Sequence, residues 1–113
     1  MSENILQSLI DKMTLELKTI YGDKLREIIV FGSQARGDAD EWSDIDIMVL
    51  VDIPKDEIAD YDRIATDSAS RIGVSNGVLI SLLTQNTGFF NHWKQYLPLY
   101  ANIKNEGKTY YAA

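Results

Sequence analysis

The chain has 113 residues, 45% hydrophobic and 25% charged, the balance of one soluble globular domain rather than of a disordered tail. Seventeen acids against eleven bases give a net charge of −6, which argues against broad binding to a nucleic-acid backbone. With no cysteine and one histidine, disulfides, thiolate metal sites and two-histidine metal motifs are excluded, and no apolar run reaches the ~18 residues of a membrane span.

Met1–Ile10 lacks the basic start and apolar stretch of a signal peptide, so a cytoplasmic location is expected. From Ile5 to Ile20 the residues Leu6, Leu9, Ile10, Met13, Leu17 and Ile20 recur at three- and four-residue spacings, the apolar face of a helix. Ser2 or Asn4 can cap its start, and Gly22 follows its end. Glu27–Phe31 is a short β-branched and aromatic run stopped by Gly32, which predicts a buried strand. Ile45–Val51 predicts a second strand, apolar on both faces beyond Asp46, as in the middle of a covered sheet. A helix is expected over about Lys55 to Ile72, with Ile58, Tyr61, Ile64, Ala65, Ser68, Ala69 and Ile72 inward. Asn76-Gly77 signals a turn into a third strand, Val78–Thr84. Thr87 can cap a last helix carrying Phe89, Phe90, Trp93 and Leu97, which Pro98 bends or restarts. Lys108–Tyr111 forms a short terminal strand or a tail. The order α-β-α-β-α-β-α defines a mixed α/β (α+β) fold: a small mixed sheet flanked by helices. Residues 1–113 read as a single domain. One this size buries only somewhat more than ~60% of its unfolded surface, which suits a small catalytic core that leans on a partner.

Chemistry concentrates between the first two strands. Residues two apart in a strand share a side, so Asp44 and Asp46 project their carboxylates together. Two close like charges need compensation, and an all-oxygen pair of this kind suits Mg²⁺ or Mn²⁺. Upstream, Gly32-Ser33 falls where a strand gives way to a helical turn; glycine admits close backbone approach, and free N–H groups at a helix start attract phosphate. Taken singly, Gly-Ser after a strand is most often a simple turn, and Asp-x-Asp at a strand start is more often a solvated strand edge or a helix cap. Together they describe a site for a nucleoside triphosphate and its cation.

Gly32-Ser33, ten residues, then Asp44-Ile45-Asp46, with Ala35-Arg36-Gly37 and Ser43 in place, resembles the signature of the polymerase-β-like nucleotidyltransferase superfamily. It is similar in particular to the minimal nucleotidyltransferases (MNT), short chains often encoded beside a HEPN-domain ribonuclease, and Asn102–Tyr111 is similar to their usual ending. The resemblance implies a polymerase-β-like nucleotidyltransferase fold and a two-metal transfer of AMP from ATP. It assigns Asp44 and Asp46 to the cations, and Gly32 and Ser33 to the outgoing pyrophosphate. Arg36 would support the phosphates or their helix, or else pair with Asp38 or Asp40, and Ser43 would cap or position the turn before Asp44. It implies an antitoxin that adenylylates a hydroxyl of a HEPN-type toxin.

Complete members carry a third carboxylate where this chain has Ser81, and no Asp or Glu stands between Asp67 and Glu106. A serine hydroxyl accepts a proton poorly. Members paired with HEPN proteins often show the same departure. Two other functions therefore stand beside the enzyme: a catalytically weak or inactive module that neutralises its partner by contact, and a small-molecule nucleotidyltransferase. Trp42, in the polar loop, stacks on a base, docks on a partner or packs locally. Phe89, Phe90, Trp93, Tyr96 and Tyr100 are read as core and His92 as helix surface, while Tyr110 and Tyr111 complete the sheet or reach another chain. The acidity is uneven: eleven acids against Lys55 and Arg63 give the segment from Asp38 to Asp67 a net −9 and leave +3 elsewhere. Asp56, Glu57, Asp60 and Asp62 read as a solvated face or a docking surface for a basic partner.

Overall fold

Ser2 rather than Asn4 starts the first helix: its Oγ accepts a hydrogen bond from the Ile5 N–H (3.2 Å) and satisfies one of the free donors at that end. The computed structural model describes residues 2–37 and 44–113. Helix α1 spans Glu3–Tyr21 and buries Leu6, Leu9, Ile10, Met13 and Leu17, the stripe that the spacing predicts, with Tyr21 at its end; Ile20 only packs on the rim. After a 3₁₀ turn come β1 (Leu25–Phe31), the single turn α2 (Ser33–Arg36) and β2 (Ile45–Val51).

Helix α3 (Ile58–Asn76) starts later and runs further than the sequence suggests, because Lys55–Glu57 forms a 3₁₀ turn after Pro54. Gly77 caps its end in the left-handed conformation (φ 69°). Its inner stripe is Ile58, Ala65, Ser68 and Ala69. The small residues let it lie close to α1 and the sheet, so Ile64, expected inside, stays 55% exposed on the flank, and Tyr61 40%. Of the acids read as a solvated face, Asp62 accepts a hydrogen bond from the Thr84 hydroxyl (2.8 Å).

Strand β3 occupies Ile80–Asn86, later than the expected Val78–Thr84. Its last residue, not Thr87, caps α4 (Thr87–Trp93): the Asn86 side-chain oxygen accepts from the Phe89 N–H (3.0 Å) while its amide donates to the Ile53 carbonyl (2.8 Å). Thr87 instead donates its hydroxyl to the Val51 carbonyl (3.3 Å). Pro98 restarts the chain as the first residue of α5 (Pro98–Glu106), and β4 (Lys108–Ala112) is a strand, which lengthens the expected order by one helix and one strand. Tyr110 and Tyr111 are half-buried in it against the α1 side, with the Lys18 ammonium 4.8 Å from the Tyr111 ring centre.

The strands form one sheet in the order β3-β2-β1-β4, with β1 antiparallel to both neighbours and β2 parallel to β3. Helices α1 and α3 cover one face over Ile28, Val30, Ile45, Ile47, Val49 and Val51; α4 and α5 cover the other over Ile29, Met48 and Leu50. Strand β2 is thus apolar on both sides because both sides are covered. Each fully buried Leu, Ile or Met contributes about 1.5–3 kcal/mol. Phe90 and Tyr100 are core, as expected. Trp93 (38% exposed) and Tyr96 (63%) are not: they stand at the last residue of α4 and in the turn that follows it.

Tyr21 is 96% buried by area, yet its hydroxyl makes no well-formed hydrogen bond, and the nearby Thr84 hydroxyl donates its proton to Asp62. Burial, then the Asp62 charge, push its pKa up to about 12 from 10, with the Thr84 hydroxyl opposing. A raised phenol pKa means the unfolded chain releases its proton first, so stability falls as pH rises from about 10 to about 12, by at most roughly 3 kcal/mol. The Tyr21→Phe variant is expected to melt no lower than the parent at neutral pH and to lose less stability in that window. Melting curves at pH 9 and 11 check this; identical alkaline losses would contradict it.

Candidate active site

The two motifs meet through the pairing of β1 with β2. In that antiparallel ladder Phe31 stands opposite Asp46, so the end of one strand and the start of the other share one edge of the sheet. Gly32 turns the chain out of β1 with φ +73°, a conformation that disfavours any side chain. A Cβ built there would lie 2.7 Å from Asp46 Oδ2, so the carboxylate occupies the space that glycine leaves. The Arg36 N–H then donates to the Gly32 carbonyl (3.1 Å), closing α2. At four residues α2 is too short for a strong macrodipole.

Asp46 shares its face of β2 with Met48 and Leu50, and so points toward the α4 and α5 side. It is half-buried and Asp44 is exposed. Burial, then the charge of Asp44, hold the Asp46 carboxyl above the usual carboxylate range. Among the described residues no Lys or Arg pairs with either acid, and no third His, Cys, Asp or Glu completes a metal-binding group with them. The donor set fits a hard divalent cation that takes its remaining ligands from water and phosphate oxygens. On the other side of β2, the parallel register sets Ser81 opposite Asp46.

Arg36 reaches toward α5, with Nη1 3.9 Å from Glu106 Oε2 and both side chains about half exposed. Between them lies a cleft of about 210 Å³ lined by Phe31, Gly32 and Arg36 on one wall and Leu99, Asn102, Ile103 and Glu106 on the other. The α5 wall is what sequence reasoning missed. Its signal was the helical spacing of Leu99, Asn102 and Glu106, which sets one face toward the cleft. Ser43, Trp42 and the Asp38 and Asp40 partners considered for Arg36 lie outside the described residues, as does the Ser33 side chain. His92 lies on the α4 surface, edge-on to Trp93 at 5.1 Å.

Residues 10–106 match the model of the nucleotidyltransferase domain family. A Methanocaldococcus jannaschii protein provisionally named a protein adenylyltransferase is 33% identical over 98 residues, covering 84% of this chain and 87% of that protein. A second protein of that organism, with the same provisional name, is 37% identical over 82 residues, 72% of this chain and 55% of its own. Among solved structures, a toxin–antitoxin complex with AMP-PNP superposes with a TM-score of 0.59 at 21% identity, over 95% of this chain and 73% of that one. A candidate nucleotidyltransferase of Sulfolobus solfataricus gives 0.51 at 18%, over 99% and 90%. The chain belongs to the nucleotidyltransferase domain family, as a minimal nucleotidyltransferase. No helix among the described residues is long and apolar enough to cross a membrane.

Proposed function

We propose that this chain is a single-domain, cytoplasmic, Mg²⁺-dependent (or Mn²⁺-dependent) protein adenylyltransferase that moves AMP from ATP to a hydroxyl of a HEPN-type toxin and so acts as its antitoxin. The observation that carries the reading is the Asp46 carboxylate seated in the space of the missing Gly32 Cβ, which joins the phosphate turn and the acidic pair into one site. The provisional names of the M. jannaschii relatives and the AMP-PNP-bound toxin–antitoxin neighbour support it.

In this reading Asp44 and Asp46 hold the divalent cations through their carboxylate oxygens. When bound, those cations offset the charge on the attacking and leaving oxygens. Gly32 and Ser33 present backbone N–H groups to the β- and γ-phosphates, Arg36 adds its guanidinium, and Ser43 positions the turn that leads into Asp44. The acceptor oxygen bonds to Pα as the bond from Pα to the bridging oxygen of the β-phosphate breaks. Pyrophosphate departs with that electron pair, and the acceptor proton passes to solvent.

Ser81 favours a second reading, in which the fold is kept for contact neutralisation and transfer is lost, because it sits opposite Asp46 with no charge to offer. Co-expression with the HEPN-type neighbour and mass spectrometry of that neighbour separates the two. Added AMP supports transfer; an unmodified but neutralised toxin supports contact alone. Under the first reading Ser81→Asp is expected to raise the transfer rate about 10²-fold or more, from the low end of the ~10²–10⁴-fold contribution of a general base. A drop in rate would show that another group has taken over that role.

A further inference from the structure

The positions of the strands order the reaction along the sheet edge. An in-line displacement at Pα puts the acceptor and the departing pyrophosphate on opposite sides. Ser81 stands on one flank of Asp46 and Gly32 on the other, so the adenylyltransferase reading assigns the departing pyrophosphate to the β1 flank, beside the cleft that Arg36 shares with α5. That cleft already contains an anion of the protein's own, the Glu106 carboxylate, 3.9 Å from the Arg36 guanidinium.

We propose that Glu106 is a positioning residue that competes with pyrophosphate for Arg36, holding the guanidinium toward the cleft when it is empty and weakening its grip on the product. This rests on the adenylyltransferase reading of the same site. Two features of α5 keep the carboxylate at the cleft. Tyr100 and Ile103 are buried against the sheet, which fixes the helix. At Gly107, immediately after Glu106, a Cβ would collide with the Ile103 carbonyl and the Ile29 Cγ2 methyl, so the backbone is pressed onto β1 and does not draw back. The Glu106 side chain is about half exposed. As a stability device the pair is worth little, since exposed ion pairs of this length contribute a fraction of a kcal/mol or nothing. Its consequence is the negative charge it adds where a more highly charged anion must bind and then leave.

The test is titration calorimetry of pyrophosphate and of ATP with Mg²⁺ into the parent, Glu106→Gln and Glu106→Asp, with melting temperatures alongside. Glu106→Gln keeps the shape and removes the charge. It is expected to bind pyrophosphate about two- to fivefold tighter, the range of one exposed charge contact, and to be inhibited by pyrophosphate at correspondingly lower concentration. Glu106→Asp keeps the charge and is expected to stay close to the parent. The gain shrinks when salt rises from about 50 to about 500 mM. Equal or weaker pyrophosphate binding by a normally folded Gln variant overturns the proposal and leaves the adenylyltransferase reading standing. A parent that binds neither ATP nor pyrophosphate overturns both. If Glu106→Gln melts early, Glu106→Asp decides: pyrophosphate binding changed as much as in the Gln variant shows a packing role instead.

Discussion

Replacing Asp44 and Asp46 together by asparagine is expected to abolish transfer of label from α-labelled ATP to the proposed acceptor, by about 10³-fold or more, while the fold survives. Asparagine keeps the shape of each side chain and deletes the charge that a hard cation requires. The fold survives because the charge stabilises nothing in the metal-free protein: Asp46 is half-buried, its carboxyl is pushed up by burial and by Asp44, and no described cation answers it. The sign of the pH dependence follows. A carboxyl whose pKa is raised on folding favours the protonated folded form, so metal-free stability falls as pH climbs from the ordinary aspartate range through the raised value, then stays flat. The double variant lacks that fall. Mg²⁺ is expected to raise the melting temperature of the parent and leave the variant unmoved. Transfer at the parent rate by the double variant would sink the mechanism. A variant that no longer transfers but still protects cells would favour contact neutralisation.

Gly32→Ala is expected to have the second largest effect, destabilising the protein by roughly 1–3 kcal/mol and removing detectable ATP binding. Two costs add. A left-handed backbone disfavours any Cβ, and this Cβ would stand 2.7 Å from Asp46 Oδ2, so the carboxylate has to be displaced from the position that the site needs. The second cost depends on Asp46 and the first does not, so the substitutions are coupled. In a double-mutant cycle with Asp46→Ala, the Gly32→Ala penalty is expected to shrink to the backbone part while ATP binding stays lost. Denaturant unfolding of the four proteins measures this. Strict additivity would mean that the close approach carries no energy.

How much of this was legible beforehand depended on whether the information was local. The α1 stripe, the bounds of β2 and the link between Gly32-Ser33 and Asp44-Ile45-Asp46 were readable because spacing and residue type fix them within one or two elements. The cap of α4 falls one residue before the one the sequence suggests, since Thr87 is a capping type too; the distant Ile53 and Val51 carbonyls that the Asn86 and Thr87 side chains meet decide between them. Periodicity puts Ile64 inside although it is exposed, because it reports a face and not how closely a neighbouring helix approaches it. Whether Lys108–Tyr111 was strand or tail depended on pairing with β1, an interaction that leaves no local mark. The α5 wall of the cleft was hidden for the same reason: Asn102 and Glu106 are ordinary helix-surface residues until Arg36 arrives from the other end of the chain.

The register that sets Phe31 opposite Asp46 also guards the assembly of the sheet. Sliding β2 by one residue would turn every side chain to the opposite face and drive the Asp46 carboxylate into the apolar layer beneath α1 and α3. Burying an unpaired charge there costs several kcal/mol, whereas the neighbouring aliphatic positions, apolar on both faces, would barely register the slip. A strand made of Ile, Met, Val and Leu alone has no means of telling right from wrong alignment. The Asp46 carboxylate, proposed to hold a cation, is thus also a check on strand alignment during folding.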